Sequence, residues 1–282
     1  MPSGTGTEGR VAIVTGGAGG IGRALARAFV ARGMRVAIAE IDTAAAARLQ
    51  DELGAEHALA VPTDVADPVS CANCVARAVE RFGGLHVLVN NAALGMGVIR
   101  RDHFTRMVEI EEISPELWQR FVAVNLNGAF FMARAAVPIF RAQRWGRIIN
   151  VTTSFFSMLR PGFSPYGPAK SALEAWSASL AGELRDRGTT VNVVVPGGPT
   201  DTPMVPVESG IDRALLIRPE RMAYPMLFLC SDAGASVTGM RFVAGKWDPA
   251  LADADAAARA GAPAGWPDLA GNPIWPGGKP AV

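Results

Sequence analysis

Short apolar runs that alternate with longer helical patterns are the feature that most constrains the fold of this chain. Runs rich in valine and isoleucine recur as "VAIVTG" from Val11, "RVAIAE" from Arg35, "LHVLVNN" from Leu85 and "TVNVVVPG" from Thr190. Amphipathic stretches of helical length separate most of these runs. The alternation predicts an α/β fold in which a parallel sheet carries helices on both faces. Ligands bind such sheets beyond the carboxyl ends of the strands, so we expect the functional residues directly after the strands.

The domain organisation follows from the continuity of this pattern. The chain has 282 residues, and no clear linker interrupts the alternation, which favours one domain over two. We predict a flexible N-terminus over residues 1–9, one folded domain over residues 10–246 and a C-terminal extension over residues 247–282. The extension, rich in alanine, proline and tryptophan, is expected to form a short helix and then an extended segment. It could lie over the binding site of its own chain or of a neighbouring subunit.

Composition argues against several classes of partner. Lysine and arginine together number 27, and aspartate and glutamate 26; without a run of like charges, a nucleic-acid surface has little support. No run of about eighteen apolar residues could span a bilayer, and the polar N-terminus does not read as a signal peptide. Three cysteines suit a reducing compartment better than a disulfide framework. We therefore expect a cytoplasmic protein that acts on a small molecule, with no nucleic-acid or membrane partner.

Two of the cysteines, Cys71 and Cys74, form a CxxC pattern that is compatible with zinc or redox chemistry. The surrounding "DPVSCANCVARAVERFG" has the pattern of an amphipathic helix, and the sequence offers no second pair of ligands. We therefore predict no metal site.

A glycine-rich loop follows the first predicted strand. In "TGGAGGIGRALARAFVARG", Gly16, Gly20 and Gly22 lie at the turn, and an amphipathic helix begins there. Without side chains, the backbone amides and the positive end of the helix can approach a pyrophosphate closely. The next strand ends at Glu40, where a carboxylate can accept hydrogen bonds from a ribose, whereas Asp42 is placed to cap the following helix. Glu40 would repel a 2′-phosphate, so NAD is favoured over NADP.

The GxxxGxG spacing of this loop resembles that of the classical short-chain dehydrogenases/reductases. Further segments match that family in order, from about Arg10 to Gly245: "TDV" with Asp64, "NNA" with Asn91, "VNLNG" with Asn125, "YGPAK" with Tyr166 and Lys170, and "PG" at Pro196 and Gly197. The resemblance implies a Rossmann-like, doubly wound sheet of about seven strands in one dinucleotide-binding catalytic domain. It also implies assembly as a homo-oligomer, a tetramer or a dimer.

The cofactor-binding residues follow from the loop and from the resemblance together. We predict that NAD contacts Gly16, Gly20, Ile21, Gly22, Glu40, Asp64, Val65, Asn91, Ala92, Tyr166, Lys170, Pro196, Gly197, Pro199 and Thr202. "NNAA" stands where the family has "NNAG", so Ala93 could constrain that turn. Pro199 has no N–H and cannot donate the backbone hydrogen bond that the family commonly uses there. Either the nicotinamide carboxamide contacts only a backbone carbonyl, or Gly198 shifts the register of the loop. Thr200 or Thr202 would then contact the phosphates or the carboxamide.

Tyr166 and Lys170 lie four residues apart at the predicted start of a helix, so both can point into one cleft. Pro165 and Pro168 are tolerated there because the first helical turn leaves N–H groups unpaired. A nearby ammonium group stabilises phenolate, so we expect Lys170 to lower the pKa of Tyr166 and make it an acid/base. By resemblance, Lys170 also holds the nicotinamide ribose.

The third catalytic partner is a hydroxyl that orients the substrate oxygen. The family commonly has a serine thirteen residues before the tyrosine, and Thr153 occupies that position here. The adjacent Ser154 could serve after a one-residue shift of the loop. By the same resemblance, Asn125 holds a water in a proton relay from the lysine, although a hydrogen bond to neighbouring backbone would also explain an asparagine within a helical pattern. The predicted catalytic set is Asn125, Thr153, Tyr166 and Lys170.

The substrate pocket is expected to be apolar and aromatic. Met96, Ser154, Phe156 and Phe163 are the predicted substrate-binding residues, with Phe155, Met158, Leu159, Met204 and tail tryptophans as further candidate walls. We expect a binding loop over Leu94–Glu116, which includes His103, and a mobile flap over Met204–Glu220. The sequence thus predicts an NAD-dependent oxidoreductase that interconverts a hydrophobic secondary alcohol and its ketone, with cyclic and aromatic alcohols as candidate substrates. A 3-oxoacyl-thioester reductase and a non-catalytic nicotinamide-binding scaffold are the alternatives.

Overall fold

The computed structural model describes residues 6–270. Its strands are Val11–Thr15 (β1), Arg35–Glu40 (β2), Ala58–Pro62 (β3), Val87–Asn90 (β4), Gly146–Val151 (β5), Thr189–Val195 (β6), Met240–Val243 (β7) and Gly261–Pro263 (β8). Its helices are Gly20–Val30 (α1), Thr43–Leu53 (α2), Pro68–Phe82 (α3), Pro115–Val122 (α4), Gly128–Gln143 (α5), Phe155–Leu159 (α6), Tyr166–Glu183 (α7), Ala223–Cys230 (α8), Asp253–Ala260 (α9) and Pro267–Ala270 (α10).

The strands form one sheet in the order β3-β2-β1-β4-β5-β6-β7-β8. Strands β1 to β7 are all parallel, and β8 is antiparallel to β7. The chain runs outward from β1 to β3 and then returns to β4 on the other side of β1. This reversal makes the space beyond β1 and β4 the switch point where doubly wound sheets bind their ligands. The predicted α/β fold is confirmed, with an eighth strand added by the C-terminal extension.

Alternating side chains of the central strands build two core layers, one on each face of the sheet. Ala12 and Val14 belong to the layer that includes residues of α1 and α8. Val11 and Ile13 point the other way, into the layer that includes residues of α3, α5 and α7. All four side chains are almost completely buried. With both faces covered, the strands read as continuous apolar runs, as parallel strands typically do.

One helical stretch, Pro115–Gln143, is long and apolar enough by length and composition to cross a membrane. The expectation that no apolar run could span a bilayer did not account for this stretch, and 33% of its apolar window is buried inside the protein. In the structure, Phe121, Met132 and Phe140 of this stretch are fully buried in the protein. Core helices pass the same compositional test, so the stretch is weak evidence for a membrane span.

The CxxC cysteines lie inside α3, as the amphipathic pattern predicted. Cys71 and Cys74 are fully buried, and burial raises the pKa of their thiols to about 12 and about 11. Thiols with such pKa values are poor nucleophiles and poor metal ligands near neutral pH. Within residues 6–270, no group of three or more His, Cys, Asp or Glu side chains is placed to hold a metal ion.

The C-terminal extension is more regular than the sequence predicted. Helix α9 confirms the expected short helix, but the segment after it contains β8 and α10 rather than an irregular extended chain. Pro263 ends β8 at the outer edge of the sheet, where a missing N–H is tolerated. The Trp266 ring lies 5.5 Å from the Phe155 ring, whereas Trp275 is outside the described residues.

Part of the predicted flexible N-terminus, residues 1–5, is also outside the described residues. The described part packs on the domain. Thr7 is buried, and the Gly9 N–H donates a hydrogen bond of 2.9 Å to the Gly33 carbonyl.

Candidate active site

The glycine loop connects β1 to α1 at the switch point of the sheet. A β-carbon at Gly22 would overlap the carbonyl oxygen of Gly16, and one at Gly20 would meet Thr202 at 2.9 Å. Gly19 precedes α1 without a side-chain cap, and no acidic residue lies in the first turn of the helix. The uncapped, positive end of α1 therefore faces the cleft, and the backbone there can accept a pyrophosphate.

Two acidic residues follow β2, and the structure separates their roles. The Glu40 carboxylate accepts hydrogen bonds from the backbone N–H of Ala18 at 3.2 Å and of Ile41 at 2.9 Å, and it lines the cleft. Asp42 accepts a bond from the Ala45 N–H and caps α2. Glu40 is thus the carboxylate available to a ribose.

The loops after β3 and β4 complete a cavity of about 480 Å³ beyond the glycine loop. Asp64, Val65, Asn91 and Ala92 all line it. The Asn91 side chain donates hydrogen bonds of 2.9 and 3.1 Å to the carbonyls of Thr15 and Gly16 and so ties the two loops together. Ala93, the departure from the family pattern, lines the cavity without adopting a positive φ angle. Its methyl group therefore introduces no backbone strain there.

A second cavity of about 440 Å³ adjoins the first, since Ile21, Asn91, Ala93, Thr202 and Met204 line both. Three of the four predicted catalytic residues lie in its wall: Thr153, Tyr166 and Lys170. All four predicted substrate-binding residues line it as well: Met96, Ser154, Phe156 and Phe163. The sequence-derived cofactor and substrate sites therefore form one continuous cleft.

Helix α7 begins at Tyr166, so Pro165 precedes the helix and Pro168 falls in its first turn, as predicted. One helical turn later, Lys170 is 2% exposed and donates a hydrogen bond of 2.8 Å to the Val151 carbonyl at the end of β5. Burial lowers the pKa of Lys170 to about 8. The lysine is thereby fixed against the edge of the sheet that borders the cleft.

The expected direction of the Tyr166 pKa shift is wrong for this structure. Burial of the phenol raises its pKa, because the phenolate loses solvation, and a hydrogen bond with Thr153 only partly opposes this shift. Lys170 is not among the groups that shift this pKa, and its ammonium group donates a hydrogen bond to the Val151 carbonyl. The protein alone thus holds Tyr166 as a neutral phenol.

Thr153 and Ser154 have different partners. The Thr153 hydroxyl acts on the Tyr166 phenol and lowers its pKa, against the larger effect of burial. The Ser154 oxygen accepts a bond of 3.1 Å from the Ser157 N–H and caps α6. The geometry therefore favours Thr153 as the hydroxyl that works with Tyr166, while Ser154 shapes the adjacent turn.

Asn125 lies in a π-helical turn, Ala123–Asn127, between α4 and α5. Its side chain accepts a 2.7 Å hydrogen bond from the Leu94 N–H and donates a 2.9 Å bond to the Leu94 carbonyl. Asn125 thus positions the chain after β4, and it does not line the two large cavities. Such π-turns are frequent at functional sites, but the sequence pattern did not reveal this one. A role in proton relay stays a prediction.

The loop after β6 carries the predicted residues Pro196, Gly197, Pro199 and Thr202 to the second cavity. The Pro199 carbonyl accepts a 3.0 Å bond from the Ile217 N–H, which leaves it one further lone pair. Thr202, which lines both cavities and lies next to Gly20, is the better placed of the two threonines for a phosphate.

The predicted flap, Met204–Glu220, is held by ion pairs in this structure. Asp201 pairs with Arg213 and, at 2.7 Å, with Arg218. Glu208 pairs at 2.6 Å with Arg101 of the Leu94–Glu116 loop. These contacts connect the two loops that border the cleft.

The other predicted apolar walls divide into two groups. Met204 lines the second cavity, and so does His103, the histidine noted in the long loop. Phe155, Met158 and Leu159 of α6 do not line it. The Met158 side chain is buried, the Leu159 side chain is exposed to solvent, and the Phe155 ring lies against the Trp266 ring.

Sequence reasoning missed a buried ion pair behind the catalytic loop. The Arg241 guanidinium donates a 2.8 Å bond to Glu174 Oε2, and both side chains are buried. Arg241 also donates a 2.9 Å bond to the Thr153 carbonyl, and Glu174 Oε2 accepts a 2.7 Å bond from Thr152. Burial raises the pKa of Glu174 and lowers that of Arg241, while their mutual attraction opposes both shifts. The only sequence signal is that Glu174 lies four residues after Lys170, on the same helix face.

Comparisons with known proteins agree with this architecture. The model of the short chain dehydrogenase family matches residues 10–209. The chain is 36% identical over 243 residues to 2,5-dichloro-2,5-cyclohexadiene-1,4-diol dehydrogenase LinX of Sphingobium indicum, an alignment that covers 82% of this chain and 93% of the relative. It is 33% identical over 241 residues to 3-oxoacyl-(acyl-carrier-protein) reductase FabG of Escherichia coli, covering 82% and 94%.

A solved structure shows the same fold. It is the 3-ketoacyl-(acyl-carrier-protein) reductase from Brucella melitensis complexed with NADH, with a TM-score of 0.73, 29% identity and coverage of 82% of this chain and 95% of that one. The family match spans most of the motifs of the cleft, from the glycine loop to the loop after β6. The chain therefore belongs to the short-chain dehydrogenase family of oxidoreductases.

Proposed function

We propose that this protein is an NAD-dependent oxidoreductase that interconverts a secondary alcohol and a ketone. The observation that carries the proposal is the position of Tyr166. The Thr153 hydroxyl acts on its phenol and lowers the phenol pKa, Lys170 follows one helical turn later, and all three residues line a cavity continuous with the glycine loop. A pure binding protein would have no need of this arrangement of phenol, hydroxyl and ammonium groups.

The cleft fits a nicotinamide dinucleotide. The uncapped start of α1 and the glycines around it would hold the pyrophosphate, Glu40 would bind the adenosine ribose, and Asp64 and Val65 would flank the adenine. Lys170 would bind the second ribose, and Thr202 would contact a phosphate or the carboxamide. When bound, the cofactor supplies the site that accepts or donates hydride. The relative whose structure holds NADH supports this choice of cofactor class.

Glu40 supports NAD over NADP. Its carboxylate lines the cleft, where a 2′-phosphate would be repelled. The preference for NAD rests on Glu40, because Arg120, a cation of the same cavity that sequence reasoning did not single out, would attract a 2′-phosphate.

Proton transfer falls to Tyr166. In ketone reduction, the phenol donates its proton to the ketone oxygen while hydride reaches the carbonyl carbon, and Thr153 orients that oxygen by a hydrogen bond. In alcohol oxidation, the phenolate takes the hydroxyl proton as hydride leaves the carbon. Because burial raises the pKa of Tyr166, the neutral phenol is ready for reduction, and oxidation is expected to accelerate as pH rises.

A second candidate function is the reduction of a 3-oxoacyl thioester. Relatives at 33% identity and a structural neighbour carry that activity in their names. The same phenol and hydroxyl would serve it, so only substrate turnover separates the two functions. Assembly as a tetramer or dimer and a cytoplasmic location stay predictions.

The proposal is tested by following absorbance at 340 nm with NAD and NADP and a panel of aliphatic, cyclic and aromatic secondary alcohols. We expect turnover with NAD, and Glu40→Ser should reduce the ratio of kcat/KM for NAD to that for NADP about 10- to 100-fold, because a charge-assisted hydrogen bond is lost and the repulsion is relieved.

Asp42→Ser is the matched control, since serine still caps α2, and the ratio should stay within about twofold of the wild-type value. A kcat/KM of the wild-type protein for NADP that equals its kcat/KM for NAD would contradict the NAD assignment. Exclusive turnover of 3-oxoacyl thioesters would favour the second function.

A further inference from the structure

Arg160 lies in the wall of the second cavity, the cavity that Tyr166 also lines. It directly follows α6, and its side chain is half-buried. Among residues 6–270, no carboxylate forms an ion pair with it. Within these residues its guanidinium donates one hydrogen bond, to the Phe104 carbonyl at 3.3 Å. Most of the guanidinium N–H groups are therefore free to bind a ligand.

The charges around the cavity are all of one sign. Its wall contains the cations Arg160 and Lys170 and includes no aspartate or glutamate among the described residues. Burial lowers the pKa of His103, and the Arg160 charge adds to this shift, while the Arg100 carbonyl and the Asp102 charge oppose it only in part. His103 is therefore neutral near pH 7, and Asp102 lies outside the cavity wall, paired with Arg100 at 3.1 Å. A cavity with apolar walls and uncompensated positive charge favours an anionic ligand over a neutral one of the same shape.

Aromatic rings fix the position of the guanidinium. Its carbon lies 4.5 Å from the centre of the Phe163 ring, and 5.8 and 5.9 Å from those of Phe104 and Phe156. Phe163 also belongs to the apolar cluster against which Tyr166 packs. Phe163 thus contacts the guanidinium and belongs to the same apolar cluster as the Tyr166 ring. A ligand that lies along Phe163 can therefore extend from the guanidinium toward the phenol.

We propose that the substrate carries a carboxylate that pairs with Arg160, and that its carbon skeleton lies along Phe163 between this anchor and the hydroxyl or ketone at Tyr166. The inference rests on the proposed function, because it defines the substrate class of the same site. A planar guanidinium fork matches a carboxylate with two parallel hydrogen bonds. A single fork supplies one positive charge, which suits a carboxylate better than a doubly charged phosphate.

Binding tests this proposal without requiring turnover. Titration calorimetry in the presence of NAD, which cannot donate hydride to a ketone, would compare 4-acetylbenzoate and 4-oxopentanoate with their methyl esters, on wild-type protein, Arg160→Met and Arg160→Lys. We expect at least one acid to bind wild-type protein about 10- to 100-fold more tightly than its ester, from a charge-assisted bidentate pair. Arg160→Met should abolish that preference and leave ester affinity within about threefold, and Arg160→Lys should keep part of it.

Arg106→Met is the control, since Arg106 is an exposed cation of the Leu94–Glu116 loop and lies outside the cavity wall. This variant should bind the acids and the esters with wild-type affinity. Acids that bind no better than their esters, or a preference that survives in Arg160→Met, would overturn the inference. If the acids bind through Arg160 but 4-(1-hydroxyethyl)benzoate and 4-hydroxypentanoate are not oxidised, the anionic site stands and the proposed reaction falls. Efficient oxidation of neutral alcohols with no preference for acids would support the proposed reaction and overturn the anionic site at Arg160.

Discussion

The two cavities of the cleft are built in different ways. Most of the cofactor-side cavity is made of loops at the ends of β1, β2, β3 and β4, with Arg120 and the loop after β6 completing its wall. The substrate-side cavity brings together the Leu94–Glu116 loop, α6, α7 and the loop after β6. Behind it lies an ion pair between α7 and β7. The first cavity thus depends on local chain geometry, whereas the second depends on contacts between segments far apart in sequence.

The largest expected effect concerns the long-range ion pair. Arg241→Met leaves the buried Glu174 carboxylate without its partner and should lower the free energy of unfolding by about 3–5 kcal/mol, as measured by denaturant titration. Arg259→Met is the control, because its 3.9 Å contact with Asp248 is exposed and should be worth less than about 1 kcal/mol. Equal losses in the two variants would show that the substrate side does not depend on the buried pair.

The second effect concerns the glycine loop. Gly22→Ala places a methyl group against the Gly16 carbonyl and should displace the start of α1, at a cost of about 1–3 kcal/mol that appears as weaker NADH binding in fluorescence titration. Gly182→Ala is the control, since Gly182 is an exposed residue of α7 outside both cavities and a β-carbon there meets nothing within 4 Å. Unchanged NADH affinity in Gly22→Ala would contradict the account of the cofactor side.

A smaller effect separates the two hydroxyls beside α6. Thr153→Val removes the hydroxyl that contacts Tyr166 and should lower kcat about 10- to 100-fold, while Thr153→Ser should retain most of the activity. Ser154→Ala removes a helix cap and should cost about 1 kcal/mol of stability with little change in kcat. A greater loss of kcat in Ser154→Ala than in Thr153→Val would reverse the assignment.

The same difference between the cavities explains what the sequence could predict. Gly16, Glu40 and Asn91 were predictable because each ends a strand or directly follows one, and strand ends meet at one edge of a parallel sheet. Tyr166 and Lys170 were predictable from helical spacing. Arg160 lies in no matched motif, and its exposure to the cavity depends on how three aromatic rings pack around it.

Two further features needed coordinates for different reasons. The pairing of Arg241 with Glu174 joins residues 67 positions apart, and no local pattern encodes it. The Tyr166 pKa shift was predicted in the wrong direction because desolvation depends on burial, which helical spacing alone does not reveal.

The central claim is that Tyr166 is the acid/base of a hydride-transfer reaction. The most direct measurement is the rate of NADH formation at 340 nm by wild-type protein and Tyr166→Phe with the best alcohol of the panel, together with NADH affinity by fluorescence. The account predicts that removing this one oxygen lowers turnover by about 100- to 10,000-fold and leaves NADH affinity within about threefold. Turnover retained in Tyr166→Phe would contradict it.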